Sequence, residues 1–181
     1  MPIKPIKLNA DQNMLLDTAA RCFTYWEQLD NMLRNDLHSR GANFPSVLSE
    51  MIASCALNLT RELSNSGDAK DSKGNIIEIK ATSAKDTDLS SFSPTEEFSN
   101  LVFCKYVRKD RCIEIYNLKL SRKDIEKIEV KKGETFEEQA TAGRRPRFSI
   151  ERKIIKPNGL TPDFIAEIET KNRQTKITIL K

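Results

Sequence analysis

The segment that decides the fold is residues 68–82, DAKDSKGNIIEIKAT. Its second half, Ile76–Thr82, is rich in isoleucine, which predicts a β-strand. Residues 67–70 predict a second, shorter strand, and the polar residues around Gly74 predict the turn between them. The segment therefore predicts a hairpin at the point where a helical pattern gives way to strands.

The hairpin is predicted to bring three charged side chains together. Alternate side chains of a strand face opposite sides of the sheet. Ile77 and Ile79 would therefore face one side, while Glu78 and Lys80 share the other. The turn then folds Asp68 back beside them. Two carboxylates and one ammonium group are expected to converge at the edge of a sheet.

Such a group suits the hydrolysis of a phosphodiester bond. Two carboxylates can hold Mg²⁺, which prefers hard oxygen ligands and keeps several of its waters. The metal lowers the pKa of a bound water and offsets negative charge in the transition state. A lysine beside the metal can orient or deprotonate the attacking water and can also contact the scissile phosphate. These residues predict a magnesium-dependent nuclease site.

The spacing of the acid and the lysine is by itself a weak signal, because 31% of the residues are charged. An acid two positions before a lysine occurs at Asp68, Asp71, Glu78, Glu129, Glu151 and Glu169. Of these, only Glu78 lies in an apolar strand-like run with another acid one hairpin upstream, so the context selects Glu78. Asp71 remains an alternative to Asp68 as the first acid, although it lies closer to the turn.

These motifs resemble a known family. Ser66-Gly67-Asp68 followed by Ile77-Glu78-Ile79-Lys80-Ala81-Thr82 is similar to the metal-binding core of the PD-(D/E)XK nuclease superfamily, and more narrowly to small type II restriction endonucleases. The resemblance implies that Asp68 and Glu78 bind Mg²⁺ and that Lys80 assists the attacking water. One departure is Gly67, which stands where the family motif has proline.

The family often carries a further acid on a helix before the core. Glu50 is similar in placement and is a candidate metal ligand on this ground, with a solvated helix glutamate as the alternative. The length of 181 residues predicts a single domain, taken as a nuclease domain over residues 1–181. In it, residues 1–64 form a helical N-terminal part, residues 65–120 the catalytic sheet core and residues 121–181 a DNA-recognition part.

The first 64 residues predict two helices. The first runs from about Ala10 to Arg40 and the second from about Pro45 to Ser64. The apolar seam of the first helix suits packing on its own domain or an additional contribution to a dimer. This seam is Leu15, Ala19, Cys22, Trp26, Leu29 and Leu33, and the stripe of the second helix is Leu48, Met51, Ile52, Cys55 and Leu59.

The rest of the chain predicts mainly strands and short helices. Residues 86–94, with Asp86, Asp88, Ser90 and Ser91, predict a solvated polar loop. The predicted strands are residues 101–107, 112–118, 148–155 and 175–180, and the predicted helices are residues 95–100, a short helix after Ser121, and residues 134–140. This order predicts an α/β (α+β) fold, a central mixed β-sheet flanked by helices with a restriction-endonuclease-like core.

Charge is divided unevenly along the 181 residues. Residues 1–100 hold 10 Lys/Arg against 14 Asp/Glu, whereas residues 101–181 hold 20 against 12. The basic C-terminal half is therefore expected to meet a polyanion. The four cysteines, Cys22, Cys55, Cys104 and Cys112, form no C-x-x-C pair and are interpreted as reduced core thiols. The N-terminus has no apolar signal-peptide core, which favours a cytoplasmic protein.

A cluster of arginines in the basic half is the candidate DNA contact. Arg144, Arg145 and Arg147 lie within four residues, and Gln139 precedes them. Arginine reads guanine through O6 and N7 in the major groove, and glutamine can read adenine. The alternative is nonspecific contact with phosphates. Base contact by an arginine would imply a G/C-containing site.

The leading hypothesis is an Mg²⁺-dependent type II restriction endonuclease that cuts double-stranded DNA. It would act as a homodimer on a palindromic site and be accompanied by a cognate DNA methyltransferase. The resemblance implies that the site is a short palindrome such as GCNGC and that the products carry 5′-phosphate ends. Two-fold DNA is matched by a two-fold dimer. The alternatives are a structure-selective nuclease, of the junction resolvase or repair type, and a noncatalytic DNA-binding regulator.

Overall fold

The structure is a computed structural model that describes residues 4–62, 67–85 and 88–181. The helices are Ala10–Asn35 (α1), Ser46–Leu57 (α2), Arg122–Ile125 (α3) and Phe136–Thr141 (α4), with a π-helical turn at Glu151–Ile155. The strands are Thr60–Arg61 (β1), Ala69–Lys70 (β2), Ile76–Thr82 (β3), Ser90–Ser91 (β4), Asn100–Val107 (β5), Cys112–Asn117 (β6), Glu129–Lys131 (β7), Glu134–Thr135 (β8), Arg147–Phe148 (β9), Phe164–Lys171 (β10) and Gln174–Leu180 (β11).

A mixed sheet of seven strands lies at the centre, in the order β1-β2-β3-β5-β6-β10-β11. Its neighbours are antiparallel except β3 and β5, which run parallel. A parallel pair requires a crossover connection, and residues 83–99 provide it. The predicted mixed sheet with flanking helices is confirmed, and it has the α+β architecture that the family resemblance implies.

Both faces of this sheet carry apolar layers. Helices α1 and α2 cover one face, where Phe23, Ile52, Ile77 and Ile79 belong to one buried cluster. The opposite face belongs to a second cluster: Phe92, Phe98, Leu101, Phe103, Tyr116, Ile125, Phe136, Ala140, Phe148, Ile150, Ile154 and Ile155. In the register of β3 and β5, Glu78 and Lys80 pair with Leu101 and Phe103. Since paired residues share a face, Glu78 and Lys80 lie on the second, aromatic side.

Helix α1 is shorter than predicted and buries a different stripe. It ends at Asn35 and buries Leu16, Ala19, Ala20, Phe23, Trp26 and Asp30. Cys22 and Leu29 of the predicted seam are exposed, so the interpretation of Cys22 as a core thiol is wrong. The stripe is displaced by one residue because a phenylalanine at 23 buries far more apolar area than a cysteine at 22. The other three cysteines are buried and free, as predicted.

Helix α2 also ends earlier than predicted, at Leu57 rather than near residue 64. Asn58 adopts a left-handed conformation with φ of 54°, which stops the helix. Thr60 and Arg61 then form an edge strand instead of a last helical turn. Residues 63 and 64, the end of the predicted helix, lie outside the described residues.

Two later predictions of secondary structure are wrong, and one long strand is missing from the predictions. Residues 95–99 are a turn and an irregular segment that lead into β5 at Asn100, instead of a helix. Residues 148–155 are not one strand, because β9 is only two residues long and the π-helical turn follows it. Strand β10 was not predicted at all, although it pairs with both β6 and β11.

None of the helices in the described ranges is long and apolar enough to cross a bilayer.

Candidate active site

The hairpin of β2 and β3 fixes Asp68 against the middle of β3. The backbone N–H of Asp68 donates to the carbonyl of Ile77 at 3.2 Å. Its carboxylate oxygen Oδ2 accepts the backbone N–H of Ile79 at 2.7 Å. Burial raises the pKa of Asp68, whereas the hydrogen bond from Ile79 opposes this change. The first acid is thereby held beside the strand that carries Glu78 and Lys80, as the sequence predicts.

Asp71 has a different task in the same hairpin. Its Oδ1 accepts the backbone N–H groups of Lys73 and Asn75, at 2.8 and 2.9 Å, and its Oδ2 accepts the side-chain amide of Asn75 at 2.8 Å. These hydrogen bonds hold the pKa of Asp71 below its usual value. Both carboxylate oxygens of Asp71 therefore stabilise the turn, which leaves Asp68 as the acid that faces Glu78.

Glu78 is a buried carboxylate, with only 1% of its surface exposed. Burial raises its pKa to about 8, and the negative charges of Asp68 and Glu96 act in the same direction, while Lys80 opposes them. Its Oε1 contacts the ammonium group of Lys80. Its Oε2 is buried and has no hydrogen-bond partner among the residues that the structure describes. A buried oxygen without a partner costs free energy, so a bound cation at this position would stabilise it.

Lys80 is enclosed by groups that the sequence did not identify. Besides Glu78, its Nζ lies 3.8 Å from Oε2 of Glu96 and 5.0 Å from the centre of the Phe92 ring. Phe92 and Glu96 both lie in the crossover between β3 and β5, within a polar stretch that has no periodicity. The one signal that could have identified Phe92 is its isolation as an aromatic residue among serines.

Glu50 approaches the site from α2 but has its own partner. Its Oε2 lies 3.1 Å from Nη2 of Arg61, on the edge strand β1. Its negative charge also raises the pKa of Asp68, which places it on the Asp68 side of the site. The structure therefore brings Glu50 near the predicted pair of acids, engaged in an ion pair.

The donor set suits a hard divalent cation. Among residues 4–62, 67–85 and 88–181, no three His, Cys, Asp or Glu side chains form a complete metal-binding group. Two carboxylates are nevertheless sufficient for Mg²⁺, because this ion keeps several water ligands. The unpartnered Oε2 of Glu78 and the neighbouring carboxylate of Asp68 fit such an ion.

The arginine loop lies after α4 and is attached to the crossover. Glu134 engages two of the four candidate DNA contacts: it accepts from Nε2 of Gln139 at 2.7 Å and forms an ion pair with Arg144. Arg145 and Arg147 are exposed, and within the described part of the chain neither side chain has a hydrogen bond or an ion pair. The structure thus separates two engaged side chains from two free ones.

The same loop is linked by its backbone to the residue beneath Lys80. Strand β9, which contains Arg147, pairs with β4, and the N–H of Phe92 donates to the carbonyl of Pro146 at 3.0 Å. The rings of Phe92 and Phe148 are stacked, with centroids 5.3 Å apart. The predicted DNA contact and the predicted catalytic group therefore share one packed layer.

Asp88 corrects the interpretation of residues 86–94 as a solvated loop. Its side chain is fully buried, and Ser90 is buried as well. The carboxylate accepts the hydroxyl of Ser149 and the backbone N–H groups of Ile150 and Glu151, the latter two at 2.7 and 3.2 Å. Asp88 thus caps the turn that follows the arginine loop. Asp86 lies outside the described residues.

Comparison with known proteins gives a match over most of the chain. Residues 11–157 match the family described as the Bsp6I restriction endonuclease. The type II restriction enzyme Bsp6I of Bacillus sp. (strain RFL6) is 37% identical over 156 residues, which cover 86% of this chain and 89% of that protein. The family match contains the hairpin, the crossover and the arginine loop.

Proposed function

This chain belongs to the Bsp6I restriction endonuclease family and is a type II site-specific deoxyribonuclease, and from that premise we propose that it hydrolyses DNA at Asp68, Glu78 and Lys80. The observation that carries this assignment is the unpartnered, buried Oε2 of Glu78 beside Asp68 and Lys80. Within the described residues, Lys80 engages Oε1 of Glu78 but nothing engages Oε2, and a strongly perturbed buried acid of this kind is typical of functional sites.

Asp68 and Glu78 would hold the metal, which we propose to be Mg²⁺ because both ligands are hard carboxylate oxygens. When bound, the metal would lower the pKa of a coordinated water and offset charge on the phosphate. The N–H of Ile79 fixes the orientation of Asp68, and Lys80 would direct the attacking water and contact the scissile phosphate. Glu50 would add a further oxygen through Oε1, since its ion pair with Arg61 engages Oε2.

The products we propose are 5′-phosphate and 3′-hydroxyl ends, with the 3′ oxygen as the leaving group. We further propose a homodimer acting on a short G/C-containing palindrome such as GCNGC, since a two-fold site is matched by a two-fold protein. A cognate DNA methyltransferase in the same system would protect host DNA. The enzyme would act in the cytoplasm, where that DNA is found.

Arg145 and Arg147 are proposed as the principal DNA contacts of the arginine loop, because their exposed side chains have no partner in residues 4–62, 67–85 and 88–181. Arg144 and Gln139 would contribute after release from Glu134 or by holding the loop in shape. At least one of the arginines is proposed to contact guanine in the major groove. The buried Pro146 between Arg145 and Arg147 anchors the loop to Phe92 and limits its freedom.

Replacing Arg145 or Arg147 with alanine is expected to weaken binding of the cognate site by about 10- to 100-fold, as for the loss of a bidentate base contact. Fluorescence anisotropy with cognate and unrelated duplexes in EDTA measures this effect at several salt concentrations. Lys176→Ala, which removes one positive charge from β11, is the matched control. If affinity falls equally for both duplexes, and the slope of log affinity against log salt concentration is smaller by about one, the arginine contacts a phosphate instead.

Digestion of sequenced plasmids tests the proposed function. The purified protein with Mg²⁺ is expected to give discrete bands whose number follows the sequence of each plasmid, and EDTA is expected to prevent cleavage. Sequencing of the fragment ends then gives the recognition site and the stagger. Random degradation, or preferential cleavage of branched DNA over intact plasmid, would contradict the proposal.

A further inference from the structure

Lys80 lies between two carboxylates, and only one of them belongs to the metal-binding pair proposed above. Its Nζ contacts Glu78 and lies 3.8 Å from Oε2 of Glu96. The negative charge of Glu96 also raises the pKa of both Asp68 and Glu78, so Glu96 lies close to the whole group. Its side chain is 23% exposed and therefore partly shielded from solvent.

The loop that carries Glu96 is held in place by a buried arginine. Arg122 donates to the backbone carbonyls of Glu96 and Pro94, at 2.5 and 3.0 Å, and is 7% exposed. Its guanidinium group lies 4.9 Å from the centre of the Phe136 ring. The Oε2 of Glu96 accepts the backbone N–H of Ser93 at 3.2 Å, which orients the carboxylate. Both the backbone and the side chain of Glu96 are thus fixed.

A metal ion and Lys80 would compete for Glu78. A cation bound to the Glu78 carboxylate offsets the negative charge that attracts the ammonium group and repels the ammonium group directly. Without a second partner, the lysine would be free to leave the position from which it reaches the attacking water. Glu96 provides such a second partner, because its fixed carboxylate lies near the same ammonium group.

We propose that Glu96 is a positioning residue that retains the ammonium group of Lys80 when the metal engages Glu78. This inference rests on the proposed function of Asp68, Glu78 and Lys80. Glu96 acts on the reaction through Lys80 and not as a metal ligand, because its Oε2 is already oriented by Ser93 towards the lysine. The adjacent Glu97 is exposed and has no such contact in the described structure, so it offers a natural comparison.

The test compares Glu96→Gln with Glu97→Gln in the full-length protein. Glu96→Gln is expected to lower the single-turnover cleavage rate by about 10- to 100-fold, the size expected for a misplaced catalytic group. DNA affinity in EDTA and Mn²⁺ affinity in calorimetric titrations of the DNA-free protein are expected to stay within about threefold of wild type. Glu97→Gln is expected to behave as wild type in all three measurements.

A double-mutant cycle with Lys80→Met decides whether Glu96 acts through the lysine. In the Lys80→Met background, Glu96→Gln is expected to change the residual rate by less than about twofold. The positioning role would be overturned if Glu96→Gln lowered the cleavage rate equally in both backgrounds. It would also be overturned if Glu96→Gln weakened Mn²⁺ binding tenfold or more, which corresponds to about 1.4 kcal/mol. A wild-type rate for Glu96→Gln would overturn this inference alone, whereas failure of the wild-type protein to cut DNA would overturn the proposed function itself.

Discussion

Glu78→Gln is expected to lower Mg²⁺-dependent cleavage by at least about a thousandfold, because a metal supplies several kcal/mol to such a transition state and each 1.36 kcal/mol is about tenfold. Glutamine keeps the shape of the side chain but carries no charge to hold a cation. Burial already disfavours the charged form of Glu78 and raises its pKa to about 8, so an uncharged amide of the same shape is compatible with this buried position. The variant is therefore expected to fold and to bind DNA as the wild type does.

Single-turnover cleavage and anisotropy in EDTA, measured side by side, separate loss of chemistry from loss of binding. The matched control is Glu169→Gln, because Glu169 belongs to another acid-x-lysine tripeptide and pairs with its own Lys171 at 3.1 Å. That pair is largely exposed on β10, with 60% of the Glu169 side chain accessible, and its loss should not affect the rate. Cleavage by Glu78→Gln at the wild-type rate would mean that the metal site lies elsewhere.

The placement of Asp68, Glu78 and Lys80 could be predicted from the sequence, because all three lie in one hairpin. Asp68 and Lys80 are only twelve positions apart, and a hairpin with a turn at Gly74 is enough to bring them together. The alternation of side chains along β3 then separates Glu78 from Ile77 and Ile79. These features depend on turn chemistry and on the two-residue period of a strand, both of which are visible in a single sequence.

The groups that enclose Lys80 depend on contacts that a sequence pattern does not contain. Phe92 and Glu96 reach the lysine only because the crossover returns the chain so that β5 runs parallel to β3. Asp88 contacts backbone groups 62 and 63 residues away, so its polar surroundings in the sequence wrongly indicated exposure. Long-range pairing of this kind decides burial, and a window of neighbouring residues cannot reveal it.

The arginine loop shows the same division between residue type and environment. The cluster of arginines was evident from the sequence, as was the presence of Gln139 before it. The sequence did not show which of these side chains are free. Glu134 lies ten residues before Arg144 and engages it only through the compact turn formed by α4. The residue types therefore predicted which loop is the candidate DNA contact. The fold then decides that Arg145 and Arg147 are its available side chains.

Asp88→Ala is expected to be the most destabilising single change considered, lowering the free energy of unfolding by about 3–5 kcal/mol, since each hydrogen bond to a charged group contributes about 1.5–3 kcal/mol. The change leaves the N–H groups of Ile150 and Glu151 buried without an acceptor. Urea denaturation measures the loss, with the exposed carboxylate of Asp17 as the control in Asp17→Ala. A loss below about 1 kcal/mol would show that the turn is capped by other groups. Because this turn follows the arginine loop directly, Asp88→Ala should also weaken DNA binding in EDTA, even at temperatures where the protein remains folded.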